Sequence, residues 1–417
     1  MTIKKSKECQ KITRCRICRS KNLVQYLDLD YMPIPNGFVT KKRLSVKEIY
    51  YPLQISFCPN CTLSQLNHVV SPVKMFKNYL YIPSTSKNLK KHFEKFAKDV
   101  KDVFIKSTDE MIIDIGSNDG TLLGCFKKLG SQILGIDPAA NLAKIANKNN
   151  IPTINDYFTL KLAKEIQSKK KAKIITATNV MAHIDNLHDA VAGVKTLLVR
   201  DGVFVMETPY VLDLLTKNEF DTIYHEHLSY FSVKSLEILF KKHDLRIIDI
   251  KKQKIHGGTI RIFVTHVKNS LKANSRVKNI IDLEQKYTLH KPDIYLKFER
   301  NVKKNRETFI KILQKLKKSN KKIVGYGAAA KGNVFLNYYK LGMDDIPYIV
   351  DSISYKQGKY TPGIHIPIFP ERKLTKDKVD YVIIFAWNFA KEIIKKNKEY
   401  QERGGQFIIT IPYLKII

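Results

Sequence analysis

The chain has no apolar run of the roughly 20 residues that a bilayer-spanning helix needs, and its lysine-rich start lacks the apolar stretch of a secretory signal. We therefore expect a cytoplasmic protein with no membrane partner. Acidic residues are scarce, 39 Asp and Glu against 73 Lys and Arg, which gives a formal net charge of +34. Such a field would suit nucleic acid. Arginine is sparse relative to lysine, however, and the lysines are scattered (Lys169 to Lys171, Lys251 and Lys252, Lys395 and Lys396) instead of gathering with aromatics in one module. The reading is a solvated lysine surface, with no nucleic-acid partner expected. Nor is there an Asn/Asp-Pro-Pro-aromatic motif for methylating a base amine, which weighs against a zinc-ribbon RNA methyltransferase. Six cysteines in 417 residues are too few for a disulfide scaffold.

Four of those cysteines are grouped in another way. Cys15-Arg-Ile-Cys18 and Cys58-Pro-Asn-Cys61 are two Cys-x-x-Cys knuckles, and four thiolates so paired complete a tetrahedral zinc shell. With no open position the site is read as structural. The segment between the knuckles carries little core of its own, so the metal is expected to hold it together. Next come Tyr79, Tyr81 and Ser84 to Ser86, which suit either substrate contact or linker packing, and then a helical pattern from about Asn88 to Ile105 with Leu89, Phe93, Phe96 and Val100 on one face.

Short apolar runs then alternate with amphipathic segments from Met111 to about Ile250, the pattern of a largely parallel sheet wrapped by helices. Its first strand ends in Asp114-Ile-Gly116-Ser117-Asn118-Asp119-Gly120, a glycine turn into a helix, and the second ends in Asp137. An acid at that second strand end accepts hydrogen bonds from ribose hydroxyls. The loop is not Gly-x-Gly-x-x-Gly, and an acid ahead of the first glycine suits S-adenosylmethionine better than NAD. Asn155, Asp156 and Asn179, at the ends of later runs, complete the expected cofactor set.

The densest chemistry lies at Tyr224-His225-Glu226-His227. Histidine moves protons near neutral pH. A His-x-His pair with an acid also suits a metal, or simply loop packing, and the residues alone leave the three open. A long charged helical region from about Ser275 to Lys318 leads to a second strand, glycine turn and helix at Gly325-Tyr326-Gly327-Ala328-Ala329-Ala330-Lys331-Gly332-Asn333. Backbone amides and a lysine there suit a phosphate. Two nucleotide-type units suggest two nucleotide-bearing ligands, unless the second unit serves only packing.

Taken together, the four cysteines, the Asp114 loop, Asn179-Val-Met-Ala-His183, Phe220 to Phe231, His256-Gly257-Gly258 and the Gly325 motif resemble the sugar C-methyltransferase family of deoxysugar biosynthesis, over nearly the whole chain. Members methylate C3 of dTDP-linked 4-keto sugars. The resemblance implies an α/β chain with an N-terminal zinc-binding module (1–75), a central Rossmann-like class I methyltransferase domain (76–268) and a smaller C-terminal Rossmann-like α/β domain (269–417) that helps to hold the nucleotide sugar. It implies His227 as the general base and Tyr224 assisting the enolate, with Glu226 and His183 nearby. Asn179 and one of Tyr79 and Tyr81 would touch the substrate, to which His225, Lys331 and Asn333 are added. The implied reactants are S-adenosylmethionine and a dTDP- or other NDP-linked 4-keto-6-deoxy sugar, with zinc as the structural metal and a monomer as the expected state. Asp114 departs from the glutamate common in the family. A nucleotide-sugar O-methyltransferase would use the same scaffold, and a nicotinamide-dependent oxidoreductase could use the Gly325 loop.

Overall fold

The structure, a computed structural model, describes residues 8–76, 84, 87–253, 255 and 257–417. Tyr79, Tyr81 and His256 lie outside the described residues.

The apolar runs of the central region become a seven-stranded sheet. Its order is Leu245–Gln253, Thr259–His266, Leu198–Pro209, Ala172–Thr178, Met111–Ile115, Gln132–Ile136 and Thr153–Ile154. All pairings are parallel except those of Thr259–His266, which runs antiparallel to both neighbours. Ile112, Ile113, Ile174, Ile175, Val203 and Phe204 are fully buried, as strands covered on both faces must be. The parallel strands share one carboxyl edge, so the Asp114 loop, Asp137 and Asn179 emerge on the same side.

The zinc module is less independent than its sequence position suggests. Val24–Met32, Tyr51–Phe57 and Ser64–Leu66 form an antiparallel sheet, and its fourth strand is Ser229–Tyr230 from the central region. The module's core is closed by the long Asp293–Lys318 helix, whose Tyr295 stacks on Phe57 with ring centroids 3.9 Å apart. The charged region expected as one bridge is two helices, Ser275–Lys286 and Asp293–Lys318. From the first, Glu284 caps Val233–Lys241, accepting hydrogen bonds from the amides of Val233 and Lys234 and from the Tyr210 hydroxyl.

The C-terminal sheet runs Ile368–Pro370, Ile349–Asp351, Ile323–Tyr326, Tyr381–Ile384, Gln406–Ile409 and Lys415–Ile416, parallel but for its last pair. Its Ala330–Tyr339 helix meets the central region. Phe220 stacks on Tyr339 with centroids 5.8 Å apart and planes 4° off parallel. Among the described residues, no helix is long and apolar enough to cross a membrane.

Candidate active site

The cofactor loop is shaped by close approach. Gly116 sits at φ +67°, and a Cβ there would lie 2.3 Å from Val180 Cγ2. Both the conformation and the space demand glycine. The Asn118 amide donates to Asp137 Oδ2 at 2.8 Å and the Ala139 amide to Oδ1 at 2.8 Å, which fixes the carboxylate beside the loop. Asn155 Nδ2 donates to the Asp137 carbonyl at 2.9 Å, whereas Asp156 is exposed and accepts from the Tyr157 amide. Ser117 is buried beneath the turn, facing Gly135.

Asp114 is buried and accepts a 2.6 Å hydrogen bond from Thr176 Oγ1. Burial pushes its carboxyl up to about 7; the Thr176 bond opposes this and the nearby Asp137 charge adds to it. Burial also raises Asp137, against the pull of its two amide donors. Two carboxyls so held favour a cation between them, and the ammonium and sulfonium of S-adenosylmethionine are of that kind. Asn179 is left-handed at φ +57°, its amide donates to the Glu207 carbonyl, and its Oδ1 is buried with no hydrogen-bond partner among the described residues. A donor on a ligand would satisfy it. A cleft of about 530 Å³ also opens beside Asp119 and Gly120, but Lys127, Lys128 and Ile151 line it, and none of Asp114, Asp137 and Asn179 does.

The Tyr224 to His227 segment splits its side chains by burial. Tyr224 and His227 are half-buried, whereas His225 and Glu226 are each 1% exposed. His227 Nδ1 lies 2.9 Å from the Thr222 carbonyl. A carbonyl only accepts, so Nδ1 is the donor, which in the neutral ring makes Nε2 the basic nitrogen. The Tyr224 ring lies 3.9 Å from that imidazole, centroid to centroid, and His183 lies 4.9 Å from it, edge on. Burial pushes His183 down to about 4, so it is neutral in ordinary buffers.

Glu226 is reached from the zinc module, where Asn36 Nδ2 donates to its Oε1 at 2.7 Å. The motifs did not disclose Asn36. Its only local signal is the turn Pro33-Ile-Pro35-Asn36-Gly37 between two strands.

Three residues expected at the substrate have protein neighbours. His225 faces the zinc module, donating from Nε2 to the Tyr51 carbonyl, and burial holds it at about 4. Asn333 Nδ2 donates to the Pro35 carbonyl at 2.6 Å. Lys331 Nζ is buried 4.2 Å from the Trp387 ring centroid, beside Glu219 and Asp221. The Gly325 loop is likewise engaged from within, because its Ala328 amide donates to Asp351 Oδ2 at 2.7 Å.

The thiols of Cys15, Cys18, Cys58 and Cys61 lie within 4.8 Å of one another, with Cys15 to Cys61 and Cys18 to Cys58 both at 3.4 Å. Those separations are too long for disulfides, near 2 Å, and suit four sulfurs about 2.3 Å from one zinc ion. Among the described residues no other cluster gathers three metal-ligating atoms, and His225 turned toward Tyr51 removes the metal reading of the His-x-His pair.

Comparison with known proteins matches three family models along the chain. Residues 15–76 match the family model of a zinc binding domain, 89–250 that of a methyltransferase domain and 254–412 that of the C-methyltransferase C-terminal domain. The C-methyltransferase NovU of Streptomyces niveus is 32% identical over 97% of this chain and 97% of its own. The ubiquinone biosynthesis O-methyltransferase of Rhodopseudomonas palustris (strain HaA2) is 31% identical over 27% of this chain and 45% of its own. A crystal structure of an S-adenosylmethionine-dependent methyltransferase from Clostridium acetobutylicum ATCC 824 covers 42% of this chain and 92% of its own, at 14% identity and a TM-score of 0.35. The full-length match to a C-methyltransferase, with all three domain models in order, shows that the chain belongs to the C-methyltransferase family and is an S-adenosylmethionine-dependent methyltransferase with a zinc-binding N-terminal module.

Proposed function

We propose that the protein methylates C3 of a dTDP- or other NDP-linked 4-keto-6-deoxy sugar, with His227 as the base. The observation that carries the reading is the tautomer of His227. Its Nδ1 proton is committed to the Thr222 carbonyl, so in the neutral ring Nε2 is the basic nitrogen, and Tyr224 and His183 pack against that imidazole. A hydrogen beside a ketone is acidic enough for imidazole when the enolate oxygen is stabilised. Tyr224, in contact with the imidazole, would donate to that oxygen. His183, neutral through burial, adds no charge to compete for the proton. S-adenosylmethionine supplies the methyl electrophile, and Asp114, Gly116, Ser117, Asn118, Asp137, Asn155 and Asn179 would hold it. NovU, the full-length relative, is itself named as a C-methyltransferase, which supports methylation at carbon.

Exchange tests the proton step directly. The enzyme is incubated in D₂O with S-adenosylhomocysteine and a panel of dTDP-4-keto-6-deoxy sugars, and the C3 proton is followed by NMR. The expected result is loss of that signal with wild type and its retention with His227→Asn. Retention with wild type across the panel, or equal exchange by both, contradicts the reading.

Asp114 gives a pH dependence. Its folded-state value is raised to about 7, so in the ligand-free protein it holds a proton between the ordinary carboxylate range and neutrality. The stability it contributes is therefore present at low pH and lost as pH rises through about 7. A cationic ligand reverses the preference, since it binds the ionised carboxylate. Affinity for S-adenosylmethionine is expected to rise as pH is raised toward 7 and to level off above it, by up to about tenfold per unit for one released proton. Calorimetric titration at several pH values checks this, and a flat profile would remove Asp114 as a cofactor contact.

A further inference from the structure

The C-terminal domain reaches the proposed base through three consecutive residues. Phe220–Thr222 is a single helical turn, and its backbone leads directly to the Tyr224 to His227 segment. Phe220 is packed from the C-terminal side by Tyr339 and Phe335. Asp221, 1% exposed, accepts a 2.8 Å hydrogen bond at Oδ2 from Trp387 Nε1. Thr222 presents the carbonyl that His227 Nδ1 and the Tyr230 hydroxyl both use. Trp387 follows the Tyr381–Ile384 strand, at the carboxyl edge of the second sheet. Lys331 lies over its ring, and a Cβ on Gly257 would come within 2.6 Å of it. The indole is thus wedged between the two regions with its N–H aimed at the turn.

We propose that Trp387 is a positioning residue for methyl transfer: its indole N–H fixes Asp221, and through the adjoining Thr222 carbonyl it holds the His227 ring in its Nδ1-protonated tautomer and in one orientation. The C-terminal domain then acts on the base as well as on any ligand it holds, and Lys331 lies over the indole ring. The proposal rests on His227 being the base. It explains why the Gly325 motif turns its lysine inward to Trp387. It also accounts for the use of the chain's one tryptophan at a strand end instead of in a sheet interior. Positional error of about 1 Å at a catalytic group costs on the order of 100-fold in rate, so a lever of this kind has room to matter.

The test is Trp387→Phe, which keeps a ring for Lys331 and removes the N–H. Its kcat is expected to fall about 10- to 100-fold, with unchanged KM for the dTDP-keto sugar, unchanged affinity for S-adenosylmethionine and unchanged zinc content. Asp221→Asn, which retains an acceptor oxygen for the indole, is expected to keep more of the rate than Asp221→Ala. A substrate-independent readout is the nitrogen NMR of ¹⁵N-histidine protein, with the His227 signal assigned by its loss in His227→Asn. Wild type is expected to show one Nδ1-protonated tautomer, and Trp387→Phe a mixture. The same single tautomer in both proteins, a raised sugar KM with kcat intact, or equal losses in the two Asp221 variants would overturn the proposal. Turnover by His227→Asn would instead remove the base assignment on which it stands, so the two failures are distinguishable.

Discussion

Replacing His227 by asparagine is expected to lower kcat by about 1,000-fold, within the range seen when a general base is removed. The substitution is chosen to keep the fold. An asparagine Nδ2 can still donate to the Thr222 carbonyl that now accepts from Nδ1, and the Tyr224 ring retains a planar neighbour. What is lost is the second nitrogen, and with it the basic lone pair. Affinity for S-adenosylmethionine should stay within about twofold, because an interaction used only in the transition state leaves ground-state binding alone. Steady-state kinetics and calorimetry on one preparation check both halves. Turnover within tenfold of wild type would remove His227 as the base, whatever happened to cofactor binding.

Loss of one zinc ligand should act as strongly, by a different route. Cys58→Ser is expected to lower zinc content and melting temperature together, since metal binding at a structural four-cysteine site is worth on the order of 10 kcal/mol of folding free energy. The consequence should reach the catalytic segment. The Leu66 amide donates to the Leu228 carbonyl at 3.0 Å, and Ser229 and Tyr230 pair with Gln65 and Ser64. Arg16, inside the first knuckle, donates from one guanidinium nitrogen to the carbonyls of Leu66 and Leu228 at 3.0 and 3.3 Å, and to Asp185 at 2.9 Å from Nε. His227 is thus one residue from a carbonyl held by the zinc knuckle. Chelation of wild-type protein should therefore reduce kcat as zinc leaves. A folded, metal-free Cys58→Ser protein with wild-type melting temperature would show that the cysteines carry no structural metal.

The parts of this site that could be read in the sequence are those written in adjacent residues. The Asp114 to Gly120 turn, the two knuckles and Tyr224 to His227 have their chemistry within a few positions of one another. The periodicity around them gave the strand order its raw material. What spacing does not carry is contact across the chain. Asn36 meets Glu226 and Trp387 meets Asp221 only because three regions fold against one another. Ser229–Tyr230 joins a sheet whose other strands precede it by more than a domain. The Gly325 motif shows how partners add to local form. Its glycines and lysine have the local form of a phosphate loop, but Asp351 takes the Ala328 amide and Lys331 turns onto Trp387. Local form there identifies a strand-turn-helix, while the partners decide its use.

Tyr224 and His227 would leave their mark on the product they make. The most direct measurement is carbon NMR of the product formed from S-adenosylmethionine with a ¹³C-labelled methyl group and a panel of dTDP-4-keto-6-deoxy sugars. The expected product carries a labelled methyl bonded to C3 of one of those sugars, seen as a carbon–carbon coupling or correlation within the ring. A labelled methyl on oxygen, or transfer to none of the sugars, would contradict it.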